Sequence, residues 1–396
     1  MAVSGATAVL LAQPPTTPQR TSWAITVLVA ALAALGVVLV YSATSVGIAM
    51  KAEDATLFLR RQLLWLALGT GVFALARTTD LGWLRRNAWW LVGLTVLCLV
   101  AVLVPGIGKK INGARRWVRV AGFNGQPSEM AKLALIVFCA AWCSGRREQL
   151  QSFRSTAPAL GVVGLVCGLT AIEPDMGTAL LLGLVSTVVL LAGGVPFRHL
   201  VMVGTPAVAV LGLFALRKLA YVGNRIAAFM DPSADPGGVA YQTHQAVIAI
   251  GSGGPFGVGL GASQQKLLFL PDVHTDFIFA CIGEELGFVG ACSVLLVFAA
   301  LIVQGMRAVD RARDDFAFLV GTGVTLTLGV QSVLNVAVAT ASVPPKGIAL
   351  PFVSFGGSSM LAAACAAGLL AKIAAEGRTG REGHPTPVVE LKPTSA

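Results

Sequence analysis

Charge is scarce in this chain: of 396 residues only 12% are Asp, Glu, Lys or Arg, about half the share usual in a soluble domain. A chain so poor in charge cannot clothe a soluble globule, which excludes the ordinary water-soluble enzyme folds. Cysteines are few and unpaired by spacing. The seven (98, 139, 143, 167, 281, 292 and 365) all fall in apolar runs, and no C-x-x-C occurs. Cys139 and Cys143 are four residues apart without a His or carboxylate beside them, so neither a disulfide framework nor a zinc site is indicated. The net charge of +10 is not gathered into basic runs interleaved with aromatics, which argues against nucleic acid and for an anionic lipid or phosphorylated substrate. Nor is there an internal repeat.

Hydrophobic residues make up 55% of the chain, in runs of membrane-spanning length from one end to the other. The reading is an all-α polytopic integral membrane protein of about ten transmembrane helices. Their expected spans are 23–46, 60–77, 86–104, 128–144, 156–173, 175–195, 197–216, 275–304, 315–340 and 350–375. Residues 1–22, with Pro14, Pro15 and Pro18, read as a disordered cytoplasmic tail, 23–376 as one membrane domain, and 377–396 as a second disordered cytoplasmic tail. The first apolar run lacks a cleavage signature and reads as a retained helix. Trp65, Trp83, Trp89, Trp90 and Trp117 fall near expected helix ends, where interfacial aromatics gather.

Orientation is less clear. Basic residues divide about evenly between the two sides, but the short loops holding Arg77, Arg85, Arg86, Arg146 and Arg147 are consistently Arg-marked. These are placed inside with the N-terminus. The outer excess lies in 105–132 and reads as a functional anion-binding patch. The segment 217–274 is then a long outer loop rich in glycine, with apolar runs at 246–250 and 266–270 that favour packing across the bundle.

Five constellations could carry chemistry. Foremost is Leu270-Pro271-Asp272-Val273-His274-Thr275-Asp276-Phe277, where a carboxylate and an imidazole meet the start of an apolar helix. Ionisable groups at such a rim are functional candidates, although Thr275 or Asp276 could simply cap the helix. Capping leaves Glu284 and Glu285, two turns further along, unexplained. Asn112-Gly113 is a hairpin signal, followed by Arg115, Arg116 and Arg119, whose guanidinium forks suit phosphate as well as plain headgroup attraction. In Gln126-Pro127-Ser128-Glu129, followed by Lys132, Pro and Ser mark a helix start. Glu129 and Lys132 share a face and either neutralise each other or leave the lysine for a substrate. Glu173-Pro174-Asp175 is a hinge whose Asp could cap the next helix. The run from Gly251 to Gly261 lacks the Lys-Ser/Thr of a P-loop and suits close packing. Last, Pro344-Pro345-Lys346-Gly347 through Pro351 to Ser359, including Ser358, is a broken, small-residue helix entry of the kind that lines cavities. In the inside-N topology all the charged groups among these fall on one side of the membrane.

In this order the motifs closely resemble the SEDS family (shape, elongation, division and sporulation), over nearly the whole chain. Further matching pieces are Pro174-Asp175-Met176-Gly177-Thr178, Arg225-Ile226 with Asp231-Pro232, Tyr241-Gln242, Ala249 through Gly254, Glu284-Glu285-Leu286-Gly287 and Gly356-Gly357-Ser358-Ser359. Pro345-Lys346-Gly347 is similar to the division-type branch, where elongation-type members usually show Val-Thr-Gly. Glu173 stands where the family commonly has Gln, Asp272 where it has Glu, and Phe355 where it has Tyr.

The resemblance implies an inverting peptidoglycan glycosyltransferase that polymerises lipid II on the outer face of the cytoplasmic membrane, at the division septum. It implies Asp276 as catalytic base, Arg116, Lys132 and Lys346 (with Arg115 and Arg119) on pyrophosphate, and Glu129, Asp175, His274, Glu284, Glu285 and Ser358 in support. It admits a divalent cation, Mg2+ or Mn2+, though no ligand cluster is visible. The implied partners are a class B penicillin-binding transpeptidase and other division proteins. The glycine-rich outer loop should be poorly organised without the transpeptidase, and Gly283 and Gly287 offer a small-residue face for its transmembrane helix. The alternatives are a lipid II flippase, an elongation-type polymerase controlling cell shape, and a non-catalytic scaffold.

Overall fold

Apolar runs of this length have one low-energy state in a bilayer, the hydrogen-bonded helix, and helices dominate the computed structural model. It describes residues 18–49, 56–111, 114–120, 123–206, 239–265, 273–344 and 346–378. Residues 1–17 and 379–396 of the two expected tails, most of the long loop (with Arg225, Asp231 and Gly237-Gly238), the run 266–272 that includes Asp272, the Asn112-Gly113 pair and Pro345 lie outside the described residues, whereas 18–22 of the first expected tail are helical.

In chain order the helices are α1 (Pro18–Ala49), α2 (Leu57–Thr78), α3 (Leu81–Arg86), α4 (Ala88–Leu103), α5 (Pro127–Cys143), α6 (Phe153–Ile172) and α7 (Met176–Ala192). They continue with α8 (from 197, described to 206), α9 (Val239–Ser252), α10 (Ile278–Asp310), α11 (Asp315–Ala339) and α12 (Gly357–Ala375). Five of them (α1, α6, α10, α11 and α12) are long and apolar enough to cross a membrane, and α4 and α7 are shorter apolar helices. That is fewer than the ten crossings expected. α2 carries Arg60, Arg61 and Arg77, and α5 spans only 17 residues with Glu129 and Lys132 in its first two turns.

α5 is the central pillar. Its run from Ala131 to Ala140 is buried throughout, and it packs against α4, α7, α11 and α12. A helix buried on all sides can hold a charged pair that lipid would reject.

Several boundaries differ from expectation for local reasons. α1 starts at Pro18, five residues early: proline suits a first helical turn, and the Ser22 hydroxyl donates to the Ala371 carbonyl of α12 (2.8 Å). The expected 86–104 helix breaks at Asn87, because Asp80 caps a separate α3 by accepting from the Gly82 and Trp83 amides. The last helix starts at Gly357, since residues 350–356 form a turn in which the Ser354 hydroxyl accepts from the Leu350 amide and donates to the Thr275 carbonyl. Trp83, Trp89 and Trp90 are exposed at helix ends as expected, whereas the Trp65 ring packs on Gly357.

The departure from an all-helical chain is a small antiparallel sheet, ordered β1 (Gly108–Ile111), β2 (Ala114–Val120) and β3 (Phe123–Gly125). Ile111 pairs with Ala114. Asn124-Gly125 sits within β3.

α10 is broken at Gly287 (φ 68, ψ −170), and the glycine-rich loop repairs the break. Amides of Val258 and Gly259 donate to the Glu284 and Glu285 carbonyls, and those of Phe288 and Val289 donate to Gly254 and Pro255. Backbone this close leaves no room for Cβ: one on Gly257 would lie 2.2 Å from the Glu285 carbonyl oxygen. These glycines therefore bind the loop to α10, the close packing expected of 251–261, and this stretch is not the loosely held segment that the need for a partner assumed. Gly283 likewise packs against Ile250 of α9, and Gly287 against Phe256 and Gly257. Both are occupied internally and offer no free face to another helix.

Candidate active site

Asp276 sits one residue before the N-cap position of α10, which falls on Phe277 and carries no side-chain cap bond. The N-cap position thus belongs to neither Thr275 nor Asp276. The segment before it is fastened from three sides. Ser354 holds the Thr275 carbonyl (2.6 Å), the Phe355 amide holds the His274 carbonyl (2.9 Å), and the His274 ring packs on Phe58 and Phe355 at 5.2 and 5.6 Å. From α11, the amide of Asn335 donates to the carbonyls of Asp276 (3.0 Å) and Ile348 (2.8 Å). Asn335 thus joins the loop bearing Asp276 to the loop bearing Lys346.

That second loop lies directly on the carboxylate. A Cβ on Gly347 would be 2.8 Å from Asp276 Oδ2, and one on Gly177 would be 3.3 Å from Lys346 Cδ. Lys346 therefore runs over the first turn of α7. There Asp175 caps the helix through the Thr178 amide (3.2 Å) and also accepts from Gln126 Nε2 (2.8 Å), just ahead of α5. Within α5, Lys132 Nζ lies 2.8 Å from Glu129 in a buried ion pair. Asp276, Lys346 and Asp175 thus lie together at one end of the bundle, and the Glu129–Lys132 pair sits deeper, with Lys132 beside Leu181, Val185 and Thr327.

The three arginines of the sheet do not act as one platform. Side chains alternate along a strand, so Arg115 and Arg119 of β2 point to one face and Arg116 to the other. Arg116 is half-buried with its Nε unpartnered, and its charge is felt at Glu173, whereas Arg119 is exposed. Glu173, beyond the end of α6, is fully buried with both oxygens unpartnered. Burial, with the Asp175 charge adding to it and Arg116 opposing, pushes its carboxyl up to about 8.

The remaining sequence candidates are placed elsewhere. Glu284 accepts from the Ser263 hydroxyl and the amides of Gln264 (2.7 Å) and Gln265, and Glu285 from the Ser42 hydroxyl of α1 (2.6 Å). The two acids secure the long loop and α1 to the broken α10. Ser358 is half-buried in the first turn of α12. Sequence reasoning missed Asn335, although a fully buried amide in an otherwise apolar helix is itself a signal.

This arrangement, a carboxylate under a tight loop with cations on α5, on β2 and on the loop that carries Lys346, is that of a membrane-embedded group-transfer site. A family model described as Cell cycle protein (FtsW/RodA/SpoVE) matches residues 22–379. A probable peptidoglycan glycosyltransferase FtsW of Trichlorobacter lovleyi is 40% identical, covering 88% of this chain and 91% of its own. Stage V sporulation protein E of Bacillus subtilis is 37% identical over 86% and 93%. Among solved structures, a chain of a peptidoglycan synthase complex that coordinates polymerization and crosslinking superposes with a TM-score of 0.73 at 31% identity, covering 89% of this chain and 97% of that one. The rod shape determining protein RodA of Thermus thermophilus gives 0.64 at 32%, covering 89% and 96%.

The chain belongs to the SEDS family: it is a multi-pass membrane peptidoglycan glycosyltransferase of the FtsW/RodA type. The FtsW name recurs among its curated relatives, which favours the division-type branch.

Proposed function

We propose that the chain polymerises lipid II into glycan strands on the outer face of the cytoplasmic membrane during septal wall synthesis. In this reading it crosses the membrane ten times and keeps both termini inside. The observation that carries the proposal is the seating of Gly347 and Lys346 between the Asp276 carboxylate and the capped start of α7. It sets one acidic group close to one cationic side chain.

Asp276 takes the proton from the acceptor sugar 4-hydroxyl as that oxygen attacks the donor's anomeric carbon. The departing polyprenyl pyrophosphate carries the developing negative charge, and Lys346, Arg116 and Lys132 stabilise it. One displacement without a covalent intermediate inverts the anomeric centre. Lys132 enters this role by exchanging Glu129 for phosphate oxygen. Asp175 and Gln126 hold the start of α7, and Asn335 holds the two loops in register.

The donor set does not form a resident cation site, since no three His, Cys, Asp or Glu side chains converge as ligands among the described residues. A Mg2+ or Mn2+ would then arrive on the pyrophosphate. A class B penicillin-binding transpeptidase is the proposed partner, together with other division proteins.

The test is polymerisation of purified lipid II by the purified protein. Asp276→Asn, nearly isosteric, should lower the rate by roughly two to four orders of magnitude while lipid II binding stays within a few-fold. Normal glycan length and rate from a folded Asp276→Asn protein would remove Asp276 from the chemistry.

A further inference from the structure

At the opposite end of α5 from Lys132 the structure opens a cleft of about 480 Å³ between α3, the first turn of α4 and the last turns of α5. Since α5 has 17 residues, at about 1.5 Å each, this cleft lies at the other membrane face from the candidate site. Arg85, Arg86 and Arg146 stand around it, and Trp89, Phe138 and Trp142 form its wall. The aromatics interlock, with Trp89 centred 4.9 Å from Phe138 and 5.9 Å from Trp142.

The charge here is unbalanced. Among the described residues no Asp or Glu lines the cleft. Arg146 lies over the Trp142 ring at 4.6 Å, and Arg85 donates to the Ser144 carbonyl (3.1 Å). Arg86 faces Asp80 at 3.5 Å, but both side chains are about 70% exposed, and so exposed a pair neutralises little. Three guanidiniums against one solvent-exposed carboxylate leave a surplus of positive charge beside a hydrophobic aromatic wall, at the level where helix ends meet headgroups.

We propose that this cleft binds the headgroup phosphate of an anionic phospholipid, whose acyl chains run along Trp89 and Phe138. Guanidinium forks match phosphate oxygens, and basic pockets between helices at a membrane face select anionic heads. A zwitterionic head would place its own cation among three arginines. Free phosphate would match the charge but leave the aromatic wall unused.

The experiment uses the full chain purified in a neutral detergent and titrated with dioctanoyl-phosphatidylglycerol, dioctanoyl-phosphatidylcholine or inorganic phosphate. Tryptophan fluorescence reads binding, because Trp89 and Trp142 border the cleft. Saturable binding of the anionic lipid is expected, at least about tenfold tighter than that of the zwitterionic one. Arg86→Gln with Arg146→Gln should weaken it by about tenfold to thirtyfold, at about fivefold per basic residue. Neither substitution removes a hydrogen bond to the backbone, and Arg85, which makes one, is left in place. A second measurement needs no variant: phosphatidylglycerol brominated on its chains should quench tryptophan emission of the wild type more strongly than brominated phosphatidylcholine. Equal affinity for the two lipids, an unchanged double variant, or inorganic phosphate competing as well as the anionic lipid would overturn the assignment.

Discussion

Replacing Gly347 by alanine tests the geometry of the site without touching a charged group. The new Cβ would lie 2.8 Å from Asp276 Oδ2 and 3.4 Å from its carboxyl carbon. Ordinary carbon–oxygen contact is about 3.4 Å, so roughly half an ångström must be found. The loop cannot easily retreat, because Asn335 ties the Ile348 carbonyl to that of Asp276. The carboxylate must therefore swing instead. A displacement of about 1 Å at a reacting group costs on the order of 100-fold, so about half of that shift should cost roughly 10- to 30-fold in turnover. Gly177→Ala is the matched control: its Cβ comes closest to the flexible Lys346 stem, at 3.3 Å, with the Ile348 side chain in ordinary contact at 3.7 Å, and about twofold is expected. Both variants are assayed for glycan synthesis from purified lipid II, with melting temperature as the check on folding. Wild-type turnover in a folded Gly347→Ala protein would show that the position of Asp276 does not limit the reaction.

Arg116→Lys keeps the charge but loses the fork, so it should slow polymerisation about tenfold, whereas Arg119→Lys, on the other face of β2, should change it less than twofold. Equal effects of the two would mean that the sheet acts only as a diffuse basic surface. The Glu173 carboxyl, raised from 4.5 to about 8, keeps its proton in the folded state while the unfolded chain loses it. Stability should therefore fall as pH rises from about 4.5 to 8. Glu173→Gln should remove that slope, gaining at most on the order of 4 kcal/mol at pH 8.5 relative to pH 5, as read by thermal unfolding in detergent; an unchanged slope would mean that Glu173 ionises freely. A cognate class B transpeptidase with its own active site disabled should raise the rate of glycan synthesis; an unaltered rate in the stable complex would remove activation from the proposal.

The helices were legible because membrane burial imposes a single backbone solution on long apolar runs, and α5, α6, α7 and α11 start and end within a few residues of expectation. The errors arose where a tertiary contact outbid the local pattern. Residues 350–356 are apolar enough to continue a helix, yet the Ser354 hydroxyl bonds to Leu350 and Thr275 and holds them in a turn. The glycines of 253–259 admitted both close packing and a loose loop, because flexibility and close approach have the same sequence signature. Only the partner strand of backbone at the Gly287 break decides between them.

The candidate site was legible as a list of residues and not as an arrangement. Asp276, Lys346 and Asp175 stood out as charges in an apolar chain, but sequence placed Arg115, Arg116 and Arg119 together. The strand alternation of β2 separates them, leaving Arg116 as the one whose charge is felt at Glu173. Asn335 escaped because a neutral amide among 25 helical residues carries no charge to attract notice. Its two hydrogen bonds nevertheless make the distance between the Asp276 and Lys346 loops a property of α11. It follows that Asn335→Leu, which fills the space but releases both carbonyls, should slow turnover in the way Gly347→Ala does, and that the two substitutions combined should cost less than the product of their separate effects. Two residues that act on one distance are not independent.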